Sequence, residues 1–137
     1  MKTVKGIMVT VDNFSGFDTK FRPECVRFEN DKLHSLIIRN PTEFYRYIGG
    51  KRFLVYADIE NLKNRYGTVL TLAIMENGIL TSDRLFGDLF ICNVGKKNQP
   101  KSITKADEKL ILAQIIEEYF DYCPTRFIKS EYKGNQH

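Results

Sequence analysis

The chain has no tryptophan and only two histidines, one of which, His137, is its last residue. His34 is therefore the one internal imidazole, and a histidine-rich metal centre lacks its usual parts. The three cysteines, Cys25, Cys92 and Cys123, are odd in number and widely separated, with no Cys-x-x-Cys pair. This spacing supports neither a disulfide framework nor a zinc site, and it suits a reducing compartment. Long hydrophobic runs are missing as well. No stretch approaches the roughly 20 apolar residues that a membrane-spanning helix needs. The opening segment MKTVKGIMVTVDNF alternates apolar and polar residues and lacks the continuous apolar core of a secretion signal. A cytoplasmic protein without a membrane association is the expectation, with no cofactor and no bound metal.

What is present is ordinary for a globular domain. With 42% hydrophobic and 28% charged residues, the composition lies well away from the disordered class. A length of 137 residues fits one domain, read as residues 1–130, followed by a short polar tail at 131–137 expected to be disordered. The formal charge of +4 is a mild basic bias. It permits an anionic partner without demanding one.

Several segments carry strand patterns. Val4–Val11 alternates with period two, as a strand with one apolar face does. CVRF (Cys25–Phe28) and HSLIIR (His34–Arg39) read as further strands, with a turn at Glu29–Lys32 between them. RFLVYADI (Arg52–Ile59) is rich in β-forming residues, and Glu60–Gly67 is polar, a loop or a single turn. VLTLAIM (Val69–Met75) runs into Asn77–Gly78, the strongest short hairpin signal in the chain, and Ile79–Leu80 makes the return. Gly87–Asp88 reads as a break or bulge inside Leu85–Val94.

Two segments carry helix signals. Asn40–Pro41–Thr42–Glu43 has the cap, first-position proline and carboxylate of a helix start, giving a short helix from Pro41 to about Ile48 that Gly49–Gly50 would end. Thr104 caps a second helix, with Asp107 and Glu108 in its first turn. Ile111, Leu112, Ile115, Ile116, Tyr119 and Phe120 extend it as an apolar stripe to about Tyr122, before Pro124. The expected fold is α+β: a mixed or antiparallel sheet of about five to seven strands, one short helix, and one long amphipathic C-terminal helix packed on a face.

From about Ile38 to Ile116, a little over half the chain, the order of elements resembles the family catalogued as domain of unknown function 3846. The resemblance rests on FYRYIGGKRFLVY, on TLAIMENGIL with its Asn–Gly turn, on TSDRLFGDLFICNVG, and on SITKADE after a polar gap. It implies a small protein of bacteriophages or other mobile elements, acting in the cytoplasm of a bacterial host cell. Proteins in such settings often inhibit host factors or sequester host signalling nucleotides.

Catalytic constellations are weak. Cys25 and His34 could meet as nucleophile and base, but a turn histidine beside an ordinary thiol is the simpler account. Asp83 and Asp88 could converge as an acid–base pair or hold Mg²⁺, yet turn chemistry and strand termination explain them more simply. Gly49–Gly50–Lys51–Arg52 has the glycines and lysine of a phosphate cradle in the wrong order relative to a helix. Binding surfaces are better represented. Tyr45, Arg46 and Tyr47 lie beside Lys51 and Arg52, Lys63, Arg65 and Tyr66 repeat the mixture, and Arg84 adds a further cation. Tyrosine with arginine suits a protein interface, and it also suits base stacking with phosphate contact. Lys96, Lys97, Lys101 and Lys105 form a second basic cluster that reads as a solvated loop, and Arg126, Lys129 and Lys133 add basic residues near the tail.

The expected function is therefore a non-enzymatic binding protein that engages a host protein or a small anionic, nucleotide-like ligand. Single-stranded nucleic-acid binding through a sheet face is the alternative, and a hydrolase using Cys25 or the two aspartates the second. Sheet edges in so small a fold also admit a homodimer.

Overall fold

In the first strand both faces are apolar, since Val4 and Met8 are as fully buried as Ile7 and Val9. A strand covered on both sides belongs inside a layered, β-rich structure, and that is what the computed structural model shows. It describes residues 2–12, 18–30, 32–33, 38–63, 70–120 and 123–131, with side chains at 12, 18, 62, 63, 70 and 118–125 left aside.

The element order is β1 (Lys2–Asp12), β2 (Asp18–Glu29), β3 (Lys32–Leu33), β4 (Pro41–Ile48), β5 (Lys51–Asp58), α1 (Ile59–Lys63), β6 (Leu70–Glu76), β7 (Ile79–Phe86), β8 (Leu89–Val94), β9 (Pro100–Lys101), α2 (Lys105–Ala113), β10 (Ile115–Phe120) and β11 (Cys123–Lys129). The larger sheet runs β3-β2-β1-β8-β5-β4, with β9 added on β8, and its pairings are antiparallel. The smaller sheet runs β10-β11-β6-β7, with β11 parallel to β6. Among the described residues no helix is long and apolar enough to cross a membrane.

The α+β expectation is thus corrected to a mostly β fold, with two short α-helices among the described residues. Pro41–Ile48 is a strand, paired along all eight residues with β5: Phe44 and Ile48 join one core, while Tyr45 packs against the other. Gly49 and Gly50, both at positive φ (59° and 86°), form the two-residue turn of the β4–β5 hairpin. That turn is docked as well as tight: its two amides donate to the carbonyls of Lys129 and Ser130. A Cβ on Gly49 would lie 2.6 Å from Leu110 of α2.

The long C-terminal helix is corrected too. Thr104 does cap α2, with a reciprocal capping box to Asp107, but the helix ends at Ala113. Gln114 leaves helical geometry, and IIEEYF becomes β10, where β-branched and aromatic residues find partners along β11. Asn77–Gly78 forms the β6–β7 turn as its sequence predicts, and Gly87–Asp88 separates β7 from β8. The strand expected at His34–Arg39 lies largely outside the described residues.

Two cores result. One, between the sheets and α2, gathers Ile7, Val9, Phe53, Val55, Leu72, Leu85, Leu89, Ile91 and Ile111. The other lies on the opposite side of the larger sheet and holds Val26, Phe28, Leu54, Tyr56, Phe90 and Cys92. Because β5 and β8 feed both, they read as near-continuous apolar runs (FLVYA and LFIC).

Candidate functional site

β4 is the last strand of the larger sheet and β7 the last of the smaller. The two edges are brought together at an open cleft of about 250 Å³ lined by Tyr45, Arg46 and Tyr47 from β4 and by Thr81 and Asp83 from β7. Ile74, Glu76 and Ser130 complete the lining.

A bulge in β7 produces this geometry. Ala73 pairs with Arg84 and Met75 with Leu80, so Ile74 alone faces the three-residue stretch Thr81–Asp83. The Thr81 hydroxyl donates to the Ile74 carbonyl at 2.7 Å and accepts from the Asp83 amide at 3.2 Å. A bulge bends its strand and re-aims side chains, and here Asp83 meets Arg46 across the seam. Nη2 of Arg46 donates to Oδ1 of Asp83 at 3.1 Å, and Nε lies 2.6 Å from Oδ2. The second contact is charge against charge without good hydrogen-bond alignment.

Arginines also cover the backbone here. Nη1 of Arg46 donates to the Tyr45 carbonyl at 2.8 Å. Nη1 of Arg84 donates to the carbonyls of Thr81 and Asp83. Charged groups on edge strands obstruct pairing with further strands.

The remaining predicted site residues are spread over other surfaces. Lys51 points to α2 and meets Asp107 at 2.5 Å. Arg52 stacks over the Tyr45 ring, 4.7 Å from its centroid, and Nη2 reaches Asn98 at 3.4 Å. The basic cluster Lys96, Lys97, Lys101 and Lys105 is exposed. Lys63 ends α1, and Arg65 and Tyr66 lie outside the described residues, as do His34 and Lys133. The strand–strand geometry therefore unites Tyr45, Arg46 and Tyr47, sets Arg52 on the Tyr45 ring outside the cleft lining, and turns Lys51 to α2.

The weighed catalytic pairs resolve into structural roles where they are described. Asp83 holds Arg46, while Asp88 accepts the Val11 amide at 3.1 Å. Cys92 is buried, and burial pushes its thiol up to about 12, against smaller opposing effects from Lys101 and Lys2. Cys25 is exposed on β2. Among the described residues, no group of three or more His, Cys, Asp or Glu is placed to hold a metal ion.

The sequence marks Glu76 only as part of the Asn77–Gly78 turn, gives Thr81 no role, and offers Asp83 as turn chemistry or as a partner of Asp88. Nothing local to these residues signals that β4 and β7 share a seam. Ile79 was visible as the hairpin return, and it is 71% exposed, directly across from Glu76. Leu80 beside it is 43% exposed. No family model, no curated protein and no solved structure matches this chain.

Proposed function

We propose that the protein is a non-enzymatic binding protein that engages a partner protein through the β4–β7 seam and the adjoining hairpin tip. The observation that carries this reading is the meeting of two sheet edges at a cleft lined by tyrosine and arginine, next to exposed Ile79 and Leu80. Tyr and Arg are enriched among interface hot spots, and a large exposed aliphatic pair is a feature partners cover. On the resemblance to domain of unknown function 3846, the partner is a protein of a bacterial host. The anionic-ligand version draws less support. Two of the three charged residues in the cleft, Glu76 and Asp83, are carboxylates, and its one cation is already paired.

The test is photo-crosslinking in host cells from a reactive residue placed at Tyr47 or Ile79, with a control at exposed Arg22 on β2. A defined protein adduct from the seam positions and none from Arg22 is the expected result. Adducts from Arg22 alone, or none from the seam, would reject the seam as the interface.

Single-stranded nucleic-acid binding has one specific observation in its favour. Arg52 links the Tyr45 ring to Asn98, in a turn that also exposes Lys96 and Lys97. Yet Arg52 already covers Tyr45, and both faces of the larger sheet carry packed cores. Affinity for an oligonucleotide that falls steeply with salt would favour this second reading; absence of binding at low salt would end it.

A further inference from the structure

We infer that the seam accepts a basic side chain, lysine or arginine, presented by an extended segment of the protein partner, with Glu76 as its counter-charge. This inference rests on the binding reading above and names the chemistry of the partner.

Charge is the first argument. Within the lining, Arg46 and Asp83 neutralise one another, and Glu76 makes no ion pair among the described residues. Arg84 does not line the cleft, and its guanidinium is turned onto the Thr81 and Asp83 carbonyls. The lining alone, with Arg46 against Glu76 and Asp83, therefore carries one net negative charge in a chain of formal charge +4. A carboxylate in a half-enclosed site, screened less than one in open water, favours a cation.

Size is the second. A volume of about 250 Å³ is below the roughly 300–1,000 Å³ of pockets that enclose a drug-sized ligand. It is on the scale of one long side chain. Ile74 in the wall gives an aliphatic stem something to lie against while its head group reaches the carboxylate.

The third argument concerns the flanks. Ile79 pairs directly with Glu76 and shares its face of the hairpin, so a residue beside the inserted cation meets an exposed apolar side chain. The carbonyls of Tyr45, Thr81 and Asp83 are already held by Arg46 and Arg84. A partner therefore gains more from a side chain placed in the cleft than from extending either sheet at these positions.

Selection of a displayed random-peptide library on the full-length protein tests both levels. The expected result is enrichment of peptides with one Lys or Arg between apolar residues. Their affinity should fall about tenfold or more on Glu76→Gln, and also on Ile79→Asp, while the melting temperature of each variant stays within a degree or two of the parent. Enriched peptides that lose affinity on Ile79→Asp but lack a basic residue, or ignore Glu76→Gln, would overturn this inference and leave the binding reading standing. Peptides indifferent to Glu76→Gln, Ile79→Asp and Tyr47→Ala alike would overturn both.

Discussion

The Lys51 ammonium lies 2.5 Å from Oδ1 of Asp107, joining the start of β5 to the first turn of α2. Oδ2 of the same carboxylate accepts from the Asn93 side chain at 3.1 Å and from the Thr104 amide at 2.9 Å. Burial alone would raise the Asp107 pKa. The hydrogen bonds from Lys51 and Thr104 and the charge of Lys51 outweigh it and hold the carboxyl below its ordinary 3.8. A carboxyl depressed on folding contributes stability that is complete above the unfolded-state value and is lost as pH falls through the folded one. The melting temperature should thus drop below about pH 4 more steeply in the parent than in Asp107→Asn. That variant should cost about 1–2 kcal/mol at neutral pH, and parallel pH profiles for the two proteins would contradict the assignment.

Gly6 sits where β1 crosses the second core. A Cβ there would lie 2.5 Å from Cζ of Phe90 and would also collide with the Ile91 carbonyl. Gly6→Ala should destabilise by about 1–3 kcal/mol through overpacking. Adding Phe90→Leu should recover part of the loss, because it removes the ring that the methyl meets. Chemical denaturation of the parent, both single variants and the double variant measures this. An additive double variant would show that Phe90 is not what fixes the glycine.

The cysteines should separate cleanly under a thiol reagent in a Cys123→Ser background. Cys25, exposed on β2, should label in the native protein. Cys92, buried and with its thiol pushed up to about 12, should label only on unfolding. Equal rates for the two thiols would place Cys92 outside the core.

Arg84 is expected to keep β7 from pairing with other chains, because it occupies the Thr81 and Asp83 carbonyls. Arg84→Ser should therefore increase self-association relative to the parent in sedimentation at equal concentration. Additional Ile79→Asp should reverse the increase. An unchanged distribution would mean that the arginine guards nothing.

How far these features could be read in advance depends on whether the deciding partner is near in sequence. Asn77–Gly78 and the Thr104 cap are local, and both form as their residues predict. PTEFYRYI carries two incompatible signals, the helix-start tetrapeptide at Asn40–Glu43 and the β-favouring aromatics Phe44, Tyr45 and Tyr47. The choice falls to β5, whose eight residues pair with all of β4. IIEEYF is similarly ambiguous, with an apolar spacing that fits a helix and a β-branched, aromatic composition that fits a strand. Here β11 decides. Tyr45, Arg46 and Tyr47 were legible as a cluster, but the Arg46–Asp83 contact was not. It depends on a bulge in a strand 37 residues away.

The parallel pairing of β11 with β6 sets Phe127 beside Ala73 and Ile128 beside Ile74. Read along the direction of synthesis, β6 and β7 emerge from the ribosome well before the strand that completes their sheet. In that interval they are a two-stranded hairpin, which is marginal in water by itself. The larger sheet has all its strands through β9 by Lys101. Assembly is thus expected to be vectorial, with the larger sheet consolidating first and the smaller closing once the chain past α2 is free. Limited proteolysis of ribosome-bound chains ending at Tyr122, held on a flexible tether long enough to clear the exit tunnel, should cut β6–β7 while sparing β1 and β8, and uniform protection would rule that order out.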